Sequence, residues 1–162
     1  MAAGCQNTII IYGRKFMARK FYFLIWILLT AAIGFMVFMP DYMGRDIYTY
    51  LFPRSFYVAH SGAIQALSHG TFFFFNSLFL FLFLNAYPQA GEAGKFMAVF
   101  IWIVVLTVGS EVGQAYFLPA DYNRSGLNIR DAVADFGGFI VAWLFYLFFV
   151  KLIYGSSLLK RN

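Results

Sequence analysis

Two pairs of polar side chains have the spacing that puts each pair on one face of a helix. Glu111 and Gln114 are three residues apart, and Asp131 and Asp135 are four apart. Carboxylates and amides converging from two helices can hold amines or hydroxyls, or exchange protons as general acids and bases. Three acids gathered together need cationic partners, and Arg124, Arg130 and His69 are the candidates. The planar fork of Arg124 suits a carboxylate or a phosphate, although an arginine in that position also serves as an ordinary loop charge. Arg130, beside Asp131, reads as an interface anchor. His69 is a candidate base, or a histidine that hydrogen-bonds at the start of a helix. One histidine among acids can bind Zn²⁺ or a harder cation, but there is no H-E-x-x-H and no close His/Cys spacing. Neither a metal nor a cofactor is expected.

The elements that position these residues must lie in lipid. Of the 162 residues, 62% are hydrophobic and 12% charged, against roughly 45–50% and 25% in soluble domains. A chain this short has too much surface per volume to bury so much apolar side chain in water. Mean hydropathy is +0.71. Soluble enzymes, disordered tails and nucleic-acid readers are excluded. Cys5 stands alone, so no internal disulfide framework is available.

Gaps between charges mark the spans: Lys20 to Asp41, Arg54 to Glu92, Lys95 to Glu111, and Asp135 to Lys151. They predict crossing helices near 21–39, 69–87, 96–116 and 132–150. The fold class expected is an all-α membrane protein, a four-transmembrane-helix bundle with an interfacial segment between helices one and two. That segment, Pro40–Ser68, is rich in Tyr and Phe, and Ser55–Leu67 is expected to form a short interfacial helix within it. The first span reads as an uncleaved signal anchor. The domain runs over 21–154, between basic tails at 1–20 and 155–162.

Helices three and four each have only 15 charge-free residues, 96–110 and 136–150. At 1.5 Å per residue these cover about 22 Å of a core roughly 30 Å thick. Helix three must therefore carry Glu111 and Gln114 below the headgroups, and helix four must carry Asp135. Carboxylates at that depth face the bundle interior. They form either a hydrogen-bonded clasp or a polar pocket. Gly109 and Gly113 make a G-x-x-x-G, and Ala134 with Gly138 repeats the spacing, which predicts close packing of helices three and four.

Lys/Arg asymmetry gives the orientation. Segments 1–20, 88–95 and 151–162 carry eight Lys/Arg and one acid, whereas 40–68 and 110–135 carry four Arg and six acids. The positive-inside rule puts both termini in the cytoplasm and the polar residues on the outer side. The net charge of +5 then reflects topology and affinity for anionic lipid.

The run Ser110-Glu111-Val112-Gly113-Gln114, followed by Pro119, Arg124, Asp131, Asp135 and Gly138, resembles the signature of VanZ-like membrane proteins. That signature reads E-x-x-Q, a Pro and an Arg, then D-x-x-x-N-x-x-G opening the last helix. His69, ahead of a long aromatic helix, resembles the family's D-K-x-x-H element. Here Asp135 stands in the place of the Asn, and Gln65-Ala66 replaces the acidic-basic pair. The resemblance implies a bacterial inner-membrane protein of the cell envelope, in a family whose founding member is associated with low-level teicoplanin resistance. On that footing the outward site is expected to bind a lipid headgroup or a lipid-linked cell-wall precursor and to modulate glycopeptide susceptibility. Two other roles fit the residues: a membrane enzyme using acid/base chemistry on lipid-linked substrates, or a structural subunit of a larger membrane complex. The partners expected are membrane lipids, such precursors or such subunits, and no nucleic acid.

Overall fold

The computed structural model describes residues 3–37, 41–85, 87, 91–117 and 129–158, with side chains over 17–35, 46–85, 87, 91–113 and 129–149. The elements in chain order are α1 (Ala3–Val37), α2 (Asp41–Leu51), α3 (Arg54–Asn85), α4 (Glu92–Phe117) and α5 (Ile129–Leu158). Among the described residues there is no strand. Four helices, α1, α3, α4 and α5, are long and apolar enough to cross a bilayer. The chain is a multi-pass membrane protein built as an all-α four-helix bundle, with the short α2 in the place of the expected interfacial segment.

Imino chemistry sets one boundary. Pro53 cannot donate a backbone hydrogen bond, and it separates α2 from α3. Its carbonyl accepts from the Tyr57 amide at 3.0 Å, which starts α3. After Pro53 nothing stops the helix before Asn85. Ser55–Leu67 is therefore not a separate interfacial helix, as the sequence suggests, but the first half of α3. The reason is local: Gly62 and Gly70 are the only glycines between Arg54 and Asn85, and no proline lies there. An isolated glycine costs only about 1 kcal/mol in a helix interior. A second boundary also moves. Glu92, expected in a loop over Pro88–Gly94, lies with Lys95 in the first turn of α4, where the Lys95 amide bonds to the Gly91 carbonyl.

Lipid replaces water outside the bundle. Phe21, Leu28 and Phe35 on α1, Ile101 and Val105 on α4, and Leu144 and Phe148 on α5 are all exposed. In an aqueous protein such a surface would drive association; hydrocarbon tails solvate it at no cost. The interior is aromatic. Phe81 is fully buried and packs on Phe139, Trp143 and Tyr146, with ring centroids 6.1, 5.0 and 5.2 Å away.

The most extensive helix pair is α3 with α5. It is built on two glycines. A Cβ at Gly138 would collide with the Gly70 carbonyl oxygen, and would lie 2.9 Å from the Phe74 backbone nitrogen. A Cβ at Gly70 would in turn meet the Ala134 carbonyl at 3.3 Å. The expected close packing of α4 on α5 through small residues is thus corrected. Gly138 does make a backbone-to-backbone contact, but with α3. On α4, a Cβ at Gly109 would find nothing within 4 Å, so Gly109 does not face a partner helix; Gly113 is buried. Gly70 offers α5 a partner without a side chain at the crossing point, and backbones approach most closely where both helices lack one.

Two buried polar clusters fix the remaining helices. Midway along the bundle, Asn76 donates to Thr30 Oγ1 at 2.8 Å and accepts from Trp102 Nε1 at 3.2 Å, joining α1, α3 and α4. Near the end of the bundle that carries the chain termini, Lys95 Nζ donates to Glu92 Oε1 at 2.7 Å, Asn85 Oδ1 at 3.0 Å and the Tyr146 hydroxyl at 3.3 Å. Its three hydrogens are thereby matched by three acceptors. Asn76→Ala is expected to destabilise the bundle by about 1–2 kcal/mol, because it leaves the Thr30 and Trp102 groups unpaired in an apolar interior. Thermal unfolding in mild detergent measures this, and an unchanged midpoint would show that the three-helix link is energetically idle.

Candidate functional site

The site lies at the distal end of the bundle, opposite the chain termini, and three helices build it. His69 is half-way along α3, well inside the helix rather than at its start. Gly70 follows it directly, and Gly138 lies three residues after Asp135, so the glycine contact sits beside the His69–Asp135 pair. The close backbone approach lets a short aspartate side chain reach across. Asp135 Oδ1 lies 3.1 Å from His69 Nδ1. An ionised carboxylate only accepts, so the hydrogen belongs on Nδ1. From α4, Thr107 donates its hydroxyl to the other oxygen, Asp135 Oδ2, at 3.1 Å. Both carboxylate oxygens are thus engaged, and the Asp135 side chain is 2% exposed.

The second imidazole nitrogen is left for other work. His69 Nε2 lies 4.0 Å from Asp131 Oδ2, beyond hydrogen-bonding distance. The His69 side chain is 31% exposed and that of Asp131 10%, so the histidine is partly reached from outside the bundle while Asp131 is nearly enclosed. Asp131 sits in the first turn of α5, where the unpaired backbone amides and the helix dipole favour a negative charge. Glu111 is half-buried one turn beyond Thr107 on α4, within electrostatic reach of His69. Arg130, exposed at the start of α5, lies against Gly62 of α3, where any Cβ would clash with its guanidinium.

The short helix α2 is tied next to this turn of α3. The Tyr48 hydroxyl donates to Ser68 Oγ at 2.8 Å, and Ser68, adjacent to His69, donates to the Ile64 carbonyl at 2.9 Å. The Tyr48 and Tyr57 rings stack with centroids 5.8 Å apart.

Of the residues singled out in the sequence, Asp131, Asp135 and His69 come together, with Glu111 at the edge. The acids converge on the α3 histidine, and α4 meets α5 there through Thr107 and Asp135. Pro119 and Arg124, and the side chain of Gln114, lie outside the described residues. Among the described residues, no group of three or more His, Cys, Asp or Glu side chains is arranged to hold a metal ion. Thr107 was not foreseen. Its signal is its place four residues before Glu111, on the same face of α4.

What the arrangement can do chemically follows from its geometry. A carboxylate anchored by a hydroxyl holds an imidazole in one tautomer and one orientation, and a second carboxylate stands across a gap from the nitrogen left over. Such a unit can engage a polar group at Nε2, or exchange a proton there. No family model matches the chain, and no curated protein or solved structure does.

Proposed function

We propose that this chain is a VanZ-like protein of the bacterial inner membrane. Both of its ends lie in the cytoplasm, and its distal site binds the headgroup of a lipid or of a lipid-linked cell-wall precursor, so modulating glycopeptide susceptibility. One observation carries the reading: three spanning helices bring His69, Asp135 and Thr107 into one hydrogen-bonded chain with Asp131 across from it. Ionisable residues are costly inside a membrane and concentrate on ligand and ion pathways. The outward direction rests on the Lys/Arg asymmetry of the segments joining the helices.

The test is a deletion strain complemented with wild type, Glu111→Gln or Asp131→Asn, scored for glycopeptide susceptibility and for membrane level. Both variants are expected to insert and accumulate normally yet to behave as the deletion does. Loss of the variant proteins from the membrane would instead make these acids a structural clasp.

A second reading, acid/base catalysis on a lipid-linked substrate, is favoured by the same Thr107–Asp135–His69 chain, because a carboxylate-held imidazole is a competent general base. Turnover separates the two. Lipid extracts of cells with and without the protein differ in composition for an enzyme and match for a binder.

A further inference from the structure

We propose that an anionic phospholipid binds against α1 and α3 at the end of the bundle that carries the chain termini, its phosphate held by the Arg19 guanidinium seated on the Tyr87 ring. The site is separate from the distal one and does not depend on the function given to it.

The seat is built by two helices. Arg19 Cζ lies 4.3 Å from the centroid of the Tyr87 ring. That ring is fixed from two directions. The Tyr87 amide bonds to the Leu84 carbonyl at 2.9 Å, and the ring meets Phe83 edge-on with centroids 5.4 Å apart. Phe83 in turn packs on Phe23 of α1, with centroids 5.1 Å apart. Arg19 and Phe23, one turn apart on α1, are thus matched by Tyr87 and Phe83. An arginine has a long, mobile stem, and here the ring holds its head in place.

The head keeps its donors. An aromatic face attracts the guanidinium charge but offers no lone pair to its five N–H groups. Among the described residues the Tyr87 ring is the partner of Arg19, with no carboxylate bonded to it. A planar fork of donors held at one place matches two oxygens of a phosphate.

Charge gives the sign of the guest. Segments 1–20, 88–95 and 151–162 hold eight Lys/Arg and one acid. That acid, Glu92, lies 2.7 Å from Lys95 Nζ and is taken. No acidic side chain of this end is left for Arg19, so the balancing anion comes from outside the chain. Lys20, exposed beside Arg19, adds to the positive potential there. A zwitterionic head brings an ammonium of its own, which these cations repel; a net anionic head brings none.

The apolar continuation makes the guest a lipid. Phe23 and Ile27, one and two turns beyond Arg19 on α1, are both exposed. They extend the site by about 12 Å along the helix, and an acyl chain covers them while the phosphate stays beside the arginine. A tyrosine ring also suits headgroup depth, with an apolar body and a polar tip. Soluble phosphate would use the upper part alone.

The experiment uses the full chain in nanodiscs of phosphatidylcholine doped with phosphatidylglycerol of the same acyl chains. Native mass spectrometry reads the lipid retained after ejection. The unmutated protein is expected to enrich phosphatidylglycerol about fivefold or more over its share of the disc. Two variants conserve every charge and separate a built site from diffuse attraction. Arg19→Lys loses the planar fork, and Tyr87→Leu loses the ring; each is expected to lower the enrichment about threefold or more. Tyr87→Phe keeps a ring face and is expected to retain it.

Equal retention of the two lipids by the unmutated protein overturns the proposal, and that measurement needs no variant to fold. Enrichment that survives both Arg19→Lys and Tyr87→Leu also overturns it, because the basic ends then attract anionic lipid without a seat. Displacement of the retained lipid by glycerol 3-phosphate would make the guest a soluble phosphate and overturn the lipid assignment; retention in its presence supports it.

Discussion

Gly138→Ala is expected to cost about 1–3 kcal/mol of bundle stability, and Gly138→Leu to prevent α3 and α5 from associating. The added Cβ meets the Gly70 carbonyl oxygen and the Phe74 backbone nitrogen. Neither can swing aside as a flexible side chain would, so the helices must separate. Separation propagates to the site, because the His69–Asp135 contact depends on the same close crossing. Gly109→Ala is the control. It adds a methyl group of the same size to a helix of the same bundle, in a place with nothing within 4 Å. There alanine's better helix propensity is expected to stabilise by up to about 1 kcal/mol. Thermal unfolding of both variants in one detergent decides the matter, and equal midpoints would mean that the glycine contact does not set the packing.

Asp135→Leu gives the second large effect, on function more than on stability. Under the proposed function it is expected to abolish complementation while the protein still inserts. The fold tolerates it because the groups left behind are modest. Thr107 is a hydroxyl that can turn to its own helix backbone, and His69 is partly exposed and can stand as a neutral ring. No unpaired charge remains, so the cost stays well under the several kcal/mol of a truncated buried ion pair. Asp135→Asn behaves differently. Its amide oxygen still accepts from Nδ1, and its amide nitrogen can donate to Thr107 Oγ, so near-normal activity is expected. If Asp135→Leu unfolds the protein and Asp135→Asn does not, the cluster is a clasp; if both variants keep full activity, the His69–Asp135 bond has no part in the function.

The spans were legible because charge is costly in lipid, and the four gaps between charged residues marked four helices. The burial of Asp131 and Asp135 agrees with the same reasoning, since the charge-free stretch 136–150 that follows them is too short to cross. The partner of these acids was less legible. Gly109 and Gly113 form the familiar small-residue spacing and drew attention to α4, whereas the contact is made by Gly70, whose own small-residue spacing with Gly62 and Ala66 on α3 was passed over. His69 was a recognisable candidate cation, but its place inside α3 was not, since the polar stretch before it resembles an interfacial segment. Only the absence of any breaker between Arg54 and Asn85 records that continuity. The start of α4 misled for a related reason: Glu92 so close to Pro88 looks like a loop in water, and the three acceptors that hold Lys95 come from positions 85, 92 and 146.

The length of α3 bears on the lipid as well. Between His69 and Asn85, the residues that mark the distal site and the lysine cluster, the helix rises only about 24 Å. Ordinary hydrocarbon is roughly 30 Å thick. Both polar layers therefore fall inside the oily slab unless the bilayer pinches in around the protein. Such hydrophobic mismatch costs fractions of a kcal/mol per ångström, and a thinned collar draws neighbouring lipid heads inward by about 3 Å on each face, towards the level of His69. The protein is thus expected to favour short-chain membranes, where the mismatch is least.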